Sequence, residues 1–266
     1  NVSVGTSALQ KNTSGNHSIG IGHFALSKNT TASNNIAIGS HALENTITGA
    51  GNIAVGYNAL KMNTAGSNSA FGYDALKENT SGSANTGSGT HSLQSNIGGN
   101  YNTAHGYTSL YKNTSGNSNT SVGHSSLKEN VTGSSNTAIG YGAGDAITSG
   151  SSNVYVGHGA DASAGNVSNE IVIGSGVAGT GTNQIALGNT SITHIKAQVN
   201  SITAYSDKRI KRDINDAKLG LDFIMKLRPV TYKMKNPADY PNELLEARFR
   251  DIPGNGPLVG EFERPA

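Results

Sequence analysis

The sequence has 266 residues, of which 35% are hydrophobic and 6% aromatic, with 35 Gly, no Cys, no Trp and a formal net charge of +2. That composition excludes a disulfide framework and a thiolate metal site, and it is too poor in large apolar residues for one large compact core. Residues 1–205 carry 7 Lys+Arg against 7 Asp+Glu, which argues against a basic surface for nucleic acid or an anionic membrane, and no apolar run approaches the ~18 residues of a membrane span.

Residue 1 is not Met and falls inside a repeat, so the sequence reads as a fragment or a processed product. Self-similarity dominates from there. Aligned on the glycine of Asn-x-Ala-x-Gly-x-x-Ala-Leu, twelve anchors run from Gly5 to Gly188. They lie 17 residues apart except for 16 between Gly56 and Gly72 and 14 between Gly174 and Gly188. Four before the anchor stands an Asn column from Asn35 to Asn153. Between Asn and Gly the residues alternate, as in Ile36-Ala37-Ile38 and Ile53-Ala54-Val55, which predicts a short strand. Its β-branched residues are expected to face the interior and its Ala to face outward. An Ala-Leu pair follows three and four after the anchor (Ala25-Leu26, Ala42-Leu43, Ala59-Leu60), and clusters such as Asn63-Thr64-Ala65-Gly66 close the unit as turns.

A unit this short leaves no room for a useful helix. It fits two short strands and two turns, so each unit is one coil of a parallel β-solenoid. Twelve coils stacked at ~4.8 Å make a rod of roughly 55 Å, and the Asn column becomes a ladder of stacked amides. The interior of one coil is thin, and association of identical rods is therefore expected.

Candidate chemistry on the rod is sparse. The eight histidines sit in different phases and form no His-x-His pair: His41 and His91 lie two after the anchor, His23, His124 and His158 one after. They read as exposed or locally bonded; only His105 suggests a cluster, if a trimer gathers three copies at an axis. No metal site and no cofactor are assigned. Tyr57, Tyr73, Tyr107 and Tyr141 all fall one after the anchor. This broken aromatic stripe is the candidate ligand-binding feature, because Tyr offers apolar contact area with a polar tip, as glycans require. Asp74 and Glu78 are the only close acidic pair, with Lys77 between them, and nothing marks the paired carboxylates of a glycosidase.

The repeat ends near residue 188, and Ile192, Ile195, Val199 and Ile202 punctuate a Ser/Thr-rich stretch to Tyr205. That stretch reads as a trimeric β neck, with a short coiled coil as the alternative. At Ser206 the character changes. Residues 206–266 hold 12 Lys+Arg, 10 Asp+Glu and all 6 Pro. A short helix is predicted over Leu219 to Leu227, stopped by Pro229, then a strand over Val230 to Met234 and a helix over Glu243 to Arg250. Ser206 and Lys211 stand five residues apart among Lys208, Arg209 and Arg212, a spacing that does not place them on one face of a helix or a strand.

Two resemblances bear on function. Residues 1–188 resemble the left-handed parallel β-roll heads of trimeric adhesins, whose repeats read Asn-x-x-Ala-x-Gly, although their coils are shorter. Ser206-Asp207-Lys208-Arg209-Ile210-Lys211, then Gly220-Leu221-Asp222, then Leu227-Arg228-Pro229-Val230 resemble the intramolecular chaperone at the C-termini of phage tail fibres and endosialidases, the peptidase S74 family. That family continues with a Gly-x-Ile-Ala-Gln-Glu-Val stretch lacking here, so the domain reads as incomplete. The resemblance implies a trimer that assembles the fibre and then cuts itself off between Tyr205 and Ser206, with Ser206 as nucleophile and Lys211 as base. The expected protein is mainly β: a solenoid (1–188), a neck (189–205) and a small α+β chaperone-like segment (206–266). It is expected to be a homotrimeric fibre or spike on a virion or at an extracellular surface. Its expected partners are a cell-surface receptor, with glycan a candidate, and fibre or baseplate proteins at its N-terminal end. No nucleic acid and no membrane insertion are expected, and any enzymatic activity is a single-turnover autoproteolysis. The alternatives are a cellular trimeric adhesin head and, third, a glycan-degrading tailspike.

Overall fold

The computed structural model describes residues 1–194. Twelve three-residue strands run Val2–Val4 (β1), Ile19–Ile21 (β2), Ile36–Ile38 (β3), Ile53–Val55 (β4), Ser69–Phe71 (β5), Thr86–Ser88 (β6), Thr103–His105 (β7), Thr120–Val122 (β8), Thr137–Ile139 (β9), Val154–Val156 (β10), Ile171–Ile173 (β11) and Ile185–Leu187 (β12). They form one parallel sheet in chain order. Each strand pairs with the same three positions of the next coil, Ile36 with Ile53 and Ile38 with Val55. Residues 1–188 form a β-solenoid of about eleven turns, with each anchor glycine directly after its strand.

Only one side of the coil is a strand. Backbone bonds between coils continue along the Ala-Leu side, from the N–H of Leu26 to the carbonyl of Ala42 and from that of Leu43 to Ala59, both 3.0 Å. There, however, the residues two and four after the anchor are left-handed, φ 62° at His41 and 51° at Leu43. Alternating left-handed residues bend the chain where a second strand was expected. A bulky side chain at positive φ is unusual and costs about 1–2 kcal/mol. The leucines here are fully buried from Leu26 to Leu127, and such burial is worth about 1.5–3 kcal/mol each, which offsets the strain of the leucine's own backbone.

That leucine column overturns the predicted facing of the strands. Ala37, Ala54, Ala70, Ala104 and Ala138 at the strand centres are fully buried, while Ile21, Ile38 and Ile139 are 36%, 39% and 45% exposed. The β-branched residues point out and the small ones in. The lumen is narrow and already filled by the Leu side chain and the Ala before it, so the strand position opposite admits only a small residue. Where the leucine is replaced by Gly144, the strand centre enlarges to Tyr155, fully buried. A Cβ on Gly144 would lie 2.6 Å from the Tyr155 ring.

Two buried Asn columns close the coil ends. In the column before the strands, each side-chain oxygen accepts the backbone N–H of the next Asn, as Asn35 does from Asn52 (2.8 Å), while its nitrogen donates to the carbonyl of Gly49 (2.9 Å). Glu170 takes the last place in this column and is fully buried. Its carboxylate accepts the N–H groups of Gly181 (2.8 Å) and Ser163 (3.3 Å) and lies 3.4 Å from the Tyr155 hydroxyl. Burial and that neighbouring carboxylate push the Tyr155 phenol up.

The second column, seven after the anchor, is the direct amide ladder: Asn79 donates to Asn63 (2.7 Å), and Asn113 to Asn96 (2.8 Å). It is interrupted at Thr46, and the side-chain oxygen of Asn29 below it is buried without a partner. At the other end Ile147 follows Asn130, whose oxygen is likewise unpaired. Thr46→Asn joins the two runs into one. It is expected to stabilise the rod by about 1 kcal/mol, because a buried acceptor gains its donor; a rise in the thermal midpoint checks this.

Candidate functional site

Immediately after each strand the chain rounds a corner at the anchor glycine, and the next residue projects outward. Tyr57, Tyr73, Tyr107 and Tyr141 stand there, 44%, 49%, 50% and 56% exposed. The structure brings these four into one row and fills the gaps between them with histidine. Ring centroids follow one another from His23 to His41 (5.6 Å), Tyr57 (6.0 Å), Tyr73 (5.2 Å), His91 (5.5 Å), Tyr107 (6.1 Å), His124 (5.1 Å), Tyr141 (4.9 Å) and His158 (5.2 Å).

Continuity depends on two substitutions of position. In the third and sixth coils the residue after the anchor is small, Ser40 or Thr90. The ring is supplied one residue later, by His41 and His91, left-handed at φ 62° and 57°. The Nδ1 of His41 lies 2.8 Å from a Glu44 carboxylate oxygen, and that of His91 lies 2.6 Å from the Gln94 side-chain oxygen. Both rings are thereby held toward the row. The sequence reading placed the tyrosines correctly on one column but did not join to them His23, His124 and His158, which share their phase, or His41 and His91, which lie one residue later. The signal was there in the pairing of a small residue with His at the following position.

The row contains two packing modes. From Tyr107 through His158 the rings are nearly parallel, 28°, 13° and 11° between successive planes. At His91 they meet edge to face, 80° to Tyr73 and 77° to Tyr107. Both arrangements are favourable, contributing about 0.5–1.5 kcal/mol per pair beyond buried area.

Other sequence candidates resolve plainly. Among the described residues no three His, Cys, Asp or Glu side chains gather to hold a metal ion. His105 ends β7 on the outward face. Asp74 is buried, accepting a bond from Asn58 (2.9 Å) and pairing with Lys77 (3.2 Å), so it is no free acid. The Asp145 carboxyl is pushed above the usual aspartate range by burial and by the charge of Asp161, but Asp161 is committed to the N–H groups of Ala146 and Ala162. Tyr205, Ser206, Lys211 and the predicted helices and strand of the C-terminal segment lie outside the described residues, as does the neck beyond residue 194. No helix among the described residues is long and apolar enough to cross a membrane.

Residues 206–249 match the peptidase S74 family, described as chaperone of endosialidase. Comparisons with curated proteins and with solved structures find no match. A parallel β-solenoid followed by such a domain fits a tail-fibre-like protein with a C-terminal chaperone.

Proposed function

We propose that the chain is a homotrimeric fibre or spike for attachment to a cell surface, assembled by a C-terminal chaperone that then cuts itself away. The observation that carries this reading is the position of the family match, which begins at Ser206, the residue where the uncharged repeat gives way to the charged, proline-containing segment. One side of that junction is built to persist and the other to fold once. A second feature supports self-association. No Asp, Glu, Lys or Arg occurs in any of the twelve strands, and their outward positions are Ile, Val and Leu in β1–β4 and, with Tyr155 turned inward, in β10–β12; in β5–β9 a Ser or Thr holds the first outward position and Phe71, Ser88, His105, Val122 and Ile139 the second.

The proposed cut uses Ser206 and Lys211. The Ser206 hydroxyl attacks the Tyr205 carbonyl while the Lys211 amine takes its proton. Lys211 returns that proton to the Ser206 nitrogen as the Tyr205–Ser206 C–N bond breaks, which leaves the Tyr205 acyl group on the serine oxygen as an ester. Water then hydrolyses that ester, leaving a Tyr205 carboxylate and a free Ser206 amine. Lys211 accepts the proton only when uncharged, and the neighbouring Lys208, Arg209 and Arg212 favour that form. Intact-mass analysis of the expressed chain should show a fragment beginning at Ser206, lost in Ser206→Ala and in Lys211→Ala. If the fragment persists in Ser206→Ala, the dyad is wrong.

A further inference from the structure

We propose that the ring row from His23 to His158 is the binding strip for an extended, neutral glycan chain lying along the rod; this rests on the attachment reading and names its partner. Three observations carry it. The row is unbroken over nine coils, about 38 Å at one ring per ~4.8 Å coil, although the ring comes from a different backbone position in two of them. Its tyrosines stay about half exposed, whereas the Asn and Leu columns that hold the coil together are buried. An exposed aromatic row of this length marks an interaction surface.

The geometry sets how a ligand sits. Parallel rings with centroids 4.9–5.2 Å apart are too far apart to be eclipsed, since contact needs about 3.5–4 Å between planes, and too close to lie side by side in one plane. They overlap like roof tiles, each covering part of the next. Nothing of a ring's thickness enters between them, so a ligand must lie across the row. Pyranose rings suit that surface: their C–H faces meet the uncovered ring area, and their hydroxyls reach phenol oxygens and imidazole nitrogens. One coil's rise is close to the length that one sugar adds to an extended chain, so successive sugars meet successive rungs.

Charge selects the class. No Lys or Arg forms part of the row. The acids beside it are already paired: Glu44 with His41 and Lys61, and Asp74 with Lys77. The row therefore offers no Lys or Arg side chain to a polyanion.

The test uses the full chain and a panel of linear neutral gluco-, manno-, galacto- and chito-oligosaccharides from one to eight sugars, read by calorimetry. With at least one of these series, affinity should rise with length by at least about tenfold between two and eight sugars. Tyr107→Ala combined with Tyr141→Ala should remove that gain while circular dichroism shows a folded rod, at a thermal midpoint lowered by the four lost ring pairs. Tyr107→Phe with Tyr141→Phe, which keeps the rings, should retain most of it. Tyr101→Ala, an exposed tyrosine outside the row, should change nothing. No binding across the panel, affinity independent of length, preference for an acidic polymer, or equal loss in Tyr101→Ala overturns the proposal. Adsorption to cells separates the two readings. If wild type and the double Ala variant adsorb alike, the strip is not the contact and attachment stands. If neither adsorbs to any surface, attachment itself falls.

Discussion

Gly106→Ala should unfold the middle of the rod. Gly106 sits at φ +136°, and a Cβ there would lie 2.4 Å from the carbonyl oxygen of Gly123, the anchor of the next coil. That oxygen is backbone, fixed by the sheet, so the two coils must part for the methyl to fit. The loss should exceed about 4 kcal/mol, the range reserved for a disrupted backbone or core. Because each coil rests only on its neighbours, the break should split the rod into two melting units. Gly142 provides the control. It is left-handed at φ +59° with nothing within 4 Å of a Cβ, and in other coils the same position holds His41, Asn58 and Asp74 at similar φ. Gly142→Ala should cost only about 1–2 kcal/mol, the strain of a left-handed residue. Equal effects in thermal unfolding would mean that coil-to-coil contact at the anchor is not what requires glycine.

The second large effect concerns the strand face. Its outward columns form a strip about 53 Å long from strand spacing and, with three residues at ~3.3 Å each, roughly 10 Å wide. That is about 530 Å², some two thirds of the ~800 Å² that one partner buries in a stable interface. Ile38 and Ile139 point out of this face and are not part of the lumen. Ile38→Lys with Ile139→Lys should therefore leave the coil intact while placing unpaired charges in any packed interface, each a cost of several kcal/mol. The expected product is a folded monomer, with unchanged circular dichroism and a single-chain mass. A variant that remains trimeric would place the interface elsewhere.

Much of this architecture was legible in the sequence, and the exceptions have physical causes. The anchor spacing located all twelve strands, since only a fixed pitch brings each glycine over the next. The alternation in Ile36-Ala37-Ile38 showed which residues share a face but not which face is inside. That depends on how much lumen Leu43 leaves, a property of the closed coil. The left-handed backbone at Leu43 was not legible either, because leucine is a poor residue for that conformation in isolation and adopts it here under burial. The candidate site was half legible. Tyr57, Tyr73, Tyr107 and Tyr141 share a phase, whereas His41 and His91 join the row only because a left-handed residue swings its ring back over the preceding position.

The homotrimer is the claim on which assembly, the strand face and the purpose of a chaperone all depend. The most direct measurement is the mass of the expressed wild-type protein by light scattering at micromolar concentration. Three times the mass of the fibre subunit that intact-mass analysis finds, falling to one subunit mass in Ile38→Lys with Ile139→Lys, is the predicted result. A wild-type rod that is folded and monomeric would contradict it.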